Sequence, residues 1–467
     1  MTDYRFLFYR DNTGTGDWHD TLAALGAGKK IADDTPQGRR TMLDPYGKAR
    51  TVTDTGSKTR AAAPARENTE IAESIRQLTC RLVEFATEFA LYGNVWQQWI
   101  TYNLMMHENP FTLACERKTV SRTATMIKLA QQDFAQIREM FRMDFTALGK
   151  ENGIDLLAAM TDYKVPYAQE TGSEGRQIRM LTDKLARARD EETFGRTIAE
   201  YYAEYGNGIY GLYRAFRIAE GEDEFRIVPV KNTEDVKFSD LIGYEEQKKT
   251  LRDNTEAFVK GAHANNVLLY GDSGTGKSTS VHALMHDYYS KGLRLVEVSK
   301  ADRSKLPQVL SEIKQRNYRF IIFLDDLSFE ENESDYKELK AMLEGALETR
   351  SDRVLIYATS NRRHLIRETW KDRSDMEYDQ DIHRSDTMEE KLSLASRFGV
   401  TIYYAKPVPA EYLNIVRTLA ERHKIDIAEQ DLEDIARKWE LRHGGMSGRT
   451  ASQLITWLRG EASRKGK

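Results

Sequence analysis

The sequence predicts an α/β protein: a five-stranded parallel sheet with helices on both faces, a C-terminal helical lid, and a mostly α-helical half ahead of them. Three observations carry that expectation. From about residue 236, short apolar runs alternate with amphipathic stretches of helical period, the pattern of repeated β-α-β units. One of those runs, Val267-Leu268-Leu269-Tyr270, leads directly into the glycine-rich octapeptide GDSGTGKS at Gly271–Ser278. After Pro407 and Pro409 the apolar runs stop, and three helical patterns finish the chain.

A chain of 467 residues is too long for one ordinary core and is expected to divide into two or three domains. Hydrophobic residues make up 40% and charged residues 30%, which suits a globular protein with a well-solvated surface. A net charge of −4 gives no whole-protein case for nucleic-acid binding, although a local basic patch remains possible. The two cysteines, Cys80 and Cys115, are expected to be buried free thiols in a reducing cytoplasm rather than a disulfide. The start, MTDYRFLFYRDNTGTGDW, has too short an apolar stretch for a signal-peptide core. No segment approaches the roughly 18 apolar residues of a membrane span. The expectation is a cytoplasmic protein without a membrane partner.

Residues 1–69 show little apolar periodicity, and 35–68 are rich in Thr, Gly, Arg, Asp and Ala, so a poorly ordered N-terminal segment is expected. Residues 70–225 read as a helical domain. Ile71, Ile75, Leu78, Leu82, Phe85 and Phe89 recur at spacings of three and four, the mark of one buried helix face. Further helical patterns cover 119–147 and 175–218. The tyrosines Tyr201, Tyr202, Tyr205, Tyr210 and Tyr213, with Trp96, Trp99 and Tyr102, are expected to pack between helices. Arg176, Arg179, Lys184, Arg187 and Arg189 lie among acids and read as a solvated face.

Residues 236–406 form the expected α/β core, with strands at 266–270, 293–298, 320–324, 354–358 and 400–404. Residues 407–467 form the expected lid, with helices near 410–424, 429–441 and 447–463. The octapeptide has a mechanism in this setting of strand, tight loop and helix. Its glycines (Gly271, Gly274 and Gly276) let the backbone N–H groups of Asp272, Ser273, Thr275 and their neighbours turn inward at a phosphate chain. Lys277 would reach the β- and γ-phosphates and Ser278 would put its hydroxyl on Mg²⁺. The helix through Thr279 would add its positive N-terminal end. The pattern predicts a bound nucleoside triphosphate.

Hydrolysis needs more: a carboxylate to order the metal, a group to position water, and positive charge for the transition state. Phe320–Leu324 is apolar enough to be a central strand, and it ends in Asp325-Asp326. Asp325 would hold Mg²⁺ with Ser278, and Asp326 would orient or activate the water. The next strand ends in Thr359-Ser360-Asn361, whose amide can bond the γ-phosphate or the lytic water. Arg397, before the last strand, would reach a neighbouring subunit's γ-phosphate, with Arg373 and Arg384 as alternatives. Arg449, opening the last lid helix, would fold over the same nucleotide in cis.

In this order the motifs resemble the AAA+ ATPase superfamily, where they are Walker A, Walker B, sensor 1, the arginine finger and sensor 2. The resemblance covers residues 236–465. It implies an α/β P-loop NTPase core, ATP with Mg²⁺, and a homo-oligomer, a ring or open ring, in which Arg397 acts in trans. Phe238–Gly243 resembles the segment that holds adenine, which implies base-binding roles for Leu241, Ile242 and Gly243. DDLSFE at Asp325–Glu330 and TSNRRHL at Thr359–Leu365 resemble a bacterial AAA+ group known only as a domain of unknown function. The helical half, with ENPF at Glu108–Phe111, fits that group too.

Two departures are visible. Asp326 stands where most of the superfamily has Glu, with Glu330 and Glu331 as nearby alternatives. The position of a protein-threading loop reads Ser299-Lys300-Ala301-Asp302-Arg303-Ser304-Lys305, without an aromatic residue, which counts against an unfoldase. The sequence therefore predicts an ATPase that couples hydrolysis to remodelling of an unknown protein client. The alternatives are a nucleotide-gated scaffold or loader with little turnover, and a nucleic-acid remodeller.

Overall fold

A computed structural model of the protein describes residue 9 and residues 41–43, 49–51, 63–118, 125–145, 155–164, 172–220, 225–231, 236–328, 339, 343, 352–361 and 394–465. The chain separates into two compact units, Met1–Leu212 and Tyr213–Lys467.

The first unit holds a short antiparallel pair, β1 (Thr41–Leu43) and β2 (Ala49–Thr51), and, among the described residues, seven α-helices and a 3-10 helix at Asp155–Thr161. The α-helices are α1 (Ala63–Glu88), α2 (Val95–Met106), α3 (Pro110–Glu116), α4 (Thr125–Phe141), α5 (Ser173–Ala186), α6 (Glu191–Tyr205) and α7 (Gly208–Leu212). On α1 the apolar spacing does what it predicts: Ile75, Leu78, Leu82 and Phe85 are buried. Cys115 is buried as expected, but Cys80 is exposed. Two residues along from Leu78 is about 200° around a helix, which puts Cys80 on the opposite side. Trp96, Tyr201, Tyr202, Tyr210 and Tyr213 are buried, and Arg179 stacks on Tyr92 at 3.5 Å. The two short strands are formed, α1 begins at Ala63, and the ring of Tyr9 is buried between His107 and Phe134. A single anchor of that kind has no period in the sequence.

The second unit is built on a seven-stranded sheet in the order β4-β3-β6-β7-β8-β5-β9. Five strands were anticipated, and all are present and mutually parallel: β5 (Val267–Gly271), β6 (Leu293–Glu297), β7 (Arg319–Leu324), β8 (Val354–Ser360) and β9 (Val400–Tyr404). The other two, β3 (Ala215–Glu220) and β4 (Phe225–Pro229), correct the helical reading of residues 215–225. They form an antiparallel edge pair whose β3 runs parallel to β6. Each is only five or six residues long, and β3 follows an unbroken helical pattern, so its brief alternation of Phe216 and Ile218 with Arg217 was too short to register.

Packing fixes the order of strands. Val267, Leu269, Ile321, Phe323, Tyr357, Ile402 and Tyr404 share one cluster with residues of α8 (Glu245–Val259) and α9 (Lys277–Tyr288). The alternate residues Leu268, Phe320, Ile322 and Leu324 are equally buried, so the sheet is covered on both faces. The short helix α10 (Leu306–Ile313) follows β6. Beyond β9, α11 (Pro409–Arg422), α12 (Glu429–Arg442) and α13 (Gly448–Lys465) pack on one another around Tyr412, Val416, Ala436, Ala451 and Leu454. Three helices lie close to the bounds the sequence predicts for this segment. No helix of the described residues is long and apolar enough to cross a membrane.

Candidate nucleotide site

The glycine loop connects β5 to α9. Gly271 and Gly276 both have positive φ, 134° and 94°. A Cβ on Gly271 would collide with the carbonyl of Tyr404 on β9, and one on Gly276 with the side chain of Leu241. The loop can therefore lie close against its neighbours only because these positions lack side chains. Lys277 opens α9 and is buried. Its Nζ donates to the carbonyl oxygens of Gly271 (3.0 Å) and Asp272 (2.7 Å) and to Oδ1 of Asn361 (3.1 Å). Burial lowers the pKa of this ammonium, against the carboxylates of Asp272, Asp325 and Asp326, which raise it.

The two acids follow β7, beside the loop. Oδ1 of Asp325 accepts from the hydroxyls of Ser278 (2.6 Å) and Thr359 (2.5 Å). Asp326 has φ of 49°, so the chain turns there, and its Oδ1 accepts from Nδ2 of Asn361 (2.9 Å). Asn361 thus faces the cation with its oxygen and the anion with its nitrogen, and a continuous line of bonds runs from Lys277 through Asn361 to Asp326. The Ser278 hydroxyl and the Asp325 carboxylate are hard oxygen donors within hydrogen-bonding distance, a fitting pair for Mg²⁺. Among the described residues no cluster of three or more His, Cys, Asp or Glu could hold a metal by itself. A Mg²⁺ ion here would complete its shell with phosphate oxygens and water.

These groups line one cleft of about 700 Å³. Leu241, Ile242 and Tyr244 form an apolar wall on one side, and Ile415 and Leu419 of α11 face the same space. Lys248, buried on α8, donates to the carbonyl of Leu241 and fixes that wall. The lid meets the loop directly. Ser447 caps α13 by accepting from the Thr450 N–H (3.1 Å), and the Arg449 N–H donates to the Gly274 carbonyl (3.2 Å). The segment from β9 to the lid is also tied down. The Tyr244 hydroxyl donates to the Ala405 carbonyl (2.8 Å), and the Lys406 N–H donates to Oδ2 of Asp272 (3.2 Å).

Of the residues expected from the sequence, the cleft brings together Leu241, Ile242, Ser273 to Thr279, Asp325, Asp326, Asn361 and Arg449. Gly243 does not line it, and Gly271 and Asp272 act from beneath, through their carbonyls to Lys277. Arg397 is exposed and lies outside the cleft of its own chain. Arg373, Arg384, Glu330 and Glu331 fall outside the described residues. The loop at 299–305 is a self-capped turn: Asp302 pairs with Lys305 (2.8 Å) and accepts from Ser299 (2.6 Å), and Arg303 is buried. Sequence reasoning missed Tyr244, Ile415, Leu419 and the bonding of Thr359. Ile415 and Leu419 stand four apart on one helix face, a spacing equally suited to lid packing, so only the cleft reveals their second exposure.

A family model described as a protein of unknown function (DUF815) matches residues 212–462. A probable spastin homolog from Brugia malayi is 26% identical over 157 residues, 28% of this chain and 35% of that protein. Proteasome-activating nucleotidase 1 of Haloferax volcanii is 29% identical over 116 residues, 22% of this chain and 29% of that one. The chain thus spans about a third of the length of these curated relatives. Among solved structures, the Thermotoga maritima RuvB Holliday junction branch migration motor is similar at 18% identity and a TM-score of 0.34, over 48% of this chain and 64% of that one. With a mostly parallel sheet, a glycine loop between its β5 strand and α9 helix, and a family match over residues 212–462, the chain belongs to the DUF815 family of proteins of unknown function.

Proposed function

We propose that the protein binds ATP with Mg²⁺ in the cleft and hydrolyses the β–γ phosphoanhydride bond. The observation that carries this reading is the bonded line Lys277–Asn361–Asp326 beside the Ser278–Asp325 pair. The cation that would hold the phosphates and the carboxylate that would receive the water's proton are set at the two ends of one amide. Bound Mg²⁺ would supply charge neutralisation of the phosphates, held by Ser278 and Asp325. Lys277 and the loop N–H groups would bind the phosphate chain, while Asp326 would accept the proton of the attacking water, positioned by Asn361. Leu241, Ile242 and Tyr244, with Ile415 and Leu419, would enclose the adenine.

Arg449 would bind the same nucleotide from the lid, and the bonds from Tyr244 and Asp272 to residues 405–406 would pass the state of the cleft to the lid. Arg397, exposed and away from its own cleft, would complete the site of a second copy in a homo-oligomer. The helical unit would recognise a protein client or support assembly. Steady-state phosphate release tests the reading: the wild-type chain should release phosphate with Mg²⁺ and ATP, and Lys277→Ala should not. Equal rates would refute it. For the trans role, mixing Arg397→Ala with Asp326→Asn subunits should restore activity that neither has alone.

One observation favours a second reading, a nucleotide-gated switch with little turnover. Asp326 is one methylene shorter than Glu and is already bonded to Asn361, which keeps its carboxylate near the strand ends. A wild-type chain that binds ATP tightly, changes lid position and releases almost no phosphate would establish it. The self-capped turn at 299–305 gives the nucleic-acid reading no support.

A further inference from the structure

Thr359 is the next residue of β8 after the paired Leu324 and Ala358, so it stands opposite the two acids where β7 ends. It is 2% exposed. Its hydroxyl donates its proton to Oδ1 of Asp325 (2.5 Å) and accepts the backbone N–H of Asp326 (2.9 Å). Its carbonyl accepts the N–H of Leu327 (2.6 Å). One residue therefore holds three consecutive residues, including the turn at Asp326 with its positive φ.

A buried threonine in a helix commonly satisfies its hydroxyl on the backbone carbonyl four residues back, as Thr255 of α8 does with Leu251. Thr359 instead gives the proton to one acid and the lone pair to the other. The β-branched side chain restricts χ1, so the hydroxyl is set before any ligand arrives.

We propose that Thr359 is the positioning residue for both acids: its hydroxyl fixes the carboxylate of Asp325 toward Ser278 and locks the turn that aims Asp326 at Asn361. This rests on the reading of the cleft as an ATP site. It also gives the short Asp326 a physical basis, because the tight turn replaces side-chain length as the means of setting the carboxylate.

Three variants test it. Thr359→Val keeps the shape and removes the hydroxyl, Thr359→Ser keeps the hydroxyl and removes the methyl, and Lys277→Ala reports on the parent reading. The first measurement is hydrogen exchange at the Asp326 amide without nucleotide. Thr359→Val should exchange at least about tenfold faster and Thr359→Ser should stay near wild type, since one hydrogen bond of ordinary strength is lost or kept. The second is the ratio of ATP affinities with and without Mg²⁺. That ratio should fall about tenfold in Thr359→Val and recover in Thr359→Ser, with Mg²⁺-free affinity unchanged in both. The third is turnover, in which kcat should fall and KM for ATP should hold.

Wild-type exchange and a wild-type Mg²⁺ ratio in Thr359→Val would overturn the proposal. So would a Thr359→Ser protein as impaired as Thr359→Val. If wild-type phosphate release does not exceed that of Lys277→Ala, the hydrolysis reading fails, while exchange and the Mg²⁺ ratio still decide the role of Thr359.

Discussion

The two units treat buried polar groups in opposite ways. In the helical unit they bond to one another or to the backbone and close the structure. Asn109 accepts from the N–H groups of Phe111 and Thr112 at the start of α3, Thr182 pairs with Thr101 (3.0 Å), and the Tyr202 hydroxyl donates to the Leu104 carbonyl (2.7 Å). In the α/β unit, the buried Lys277 and Thr359 bond to the exposed Asp325, Asp326 and Asn361 in a line whose free side is an open cleft. Polar burial alone does not mark a site. What marks it is a network whose members face a common space large enough for a ligand.

Five substitutions and one change of pH can break or sharpen that contrast. The largest effect expected is on turnover. Asp326→Asn should lower phosphate release by about 10²–10⁴-fold while ATP still binds, the usual loss for a missing general base. Asp133→Asn, at a buried acid of the helical unit where Asp326 is exposed at the cleft, should leave kcat unchanged. A large loss of kcat there would erase the distinction between the two networks.

Stability should respond the other way round. Trp96, fully buried, donates its indole N–H to the Met140 carbonyl (2.8 Å) and stacks with Trp99. Trp96→Ala should destabilise its unit by about 3–5 kcal/mol in denaturant unfolding. Asn109→Ala, losing the cap of α3, should lose about 1–2 kcal/mol, with nucleotide affinity intact. An unfolding midpoint unmoved by Trp96→Ala would contradict the packing described for that unit.

Lys277→Ala should weaken ATP binding by roughly 10–100-fold, the range for a charge-assisted bond, measured by titration calorimetry. The smallest expected effect concerns pH. Burial lowers the Lys277 pKa, so the free protein loses this cation earlier than an exposed lysine would as pH rises toward about 10.4. Only the charged form attracts phosphate. ATP affinity should therefore be full at neutral pH and decline before the ordinary lysine range is reached. An affinity constant through that range would remove Lys277 from the phosphate contacts.

Much of the α/β unit was legible because its signals are local. A buried parallel strand is a continuous apolar run, a phosphate loop is a fixed spacing of glycines, and lid helices carry their own period. Each of the five anticipated strands lies within two residues of its expected bounds at both ends. The edge strands β3 and β4 were not legible, since five or six residues after a helical run give too few alternations to change the period. Tyr9 was missed for a related reason: one buried ring held by His107, Phe134 and Tyr202 is a tertiary fact.

The sequence by itself determined which residues gather at the cleft, because Gly271–Ser278, Asp325-Asp326 and Asn361 sit at strand ends whose positions follow from spacing alone. Only the tertiary structure decided how they are joined. The register of β7 against β8 sets Thr359 under both acids, and the lid brings Arg449 onto Gly274. Those pairings span 33 or more residues of chain, and no local period encodes a hydrogen bond made across such a distance.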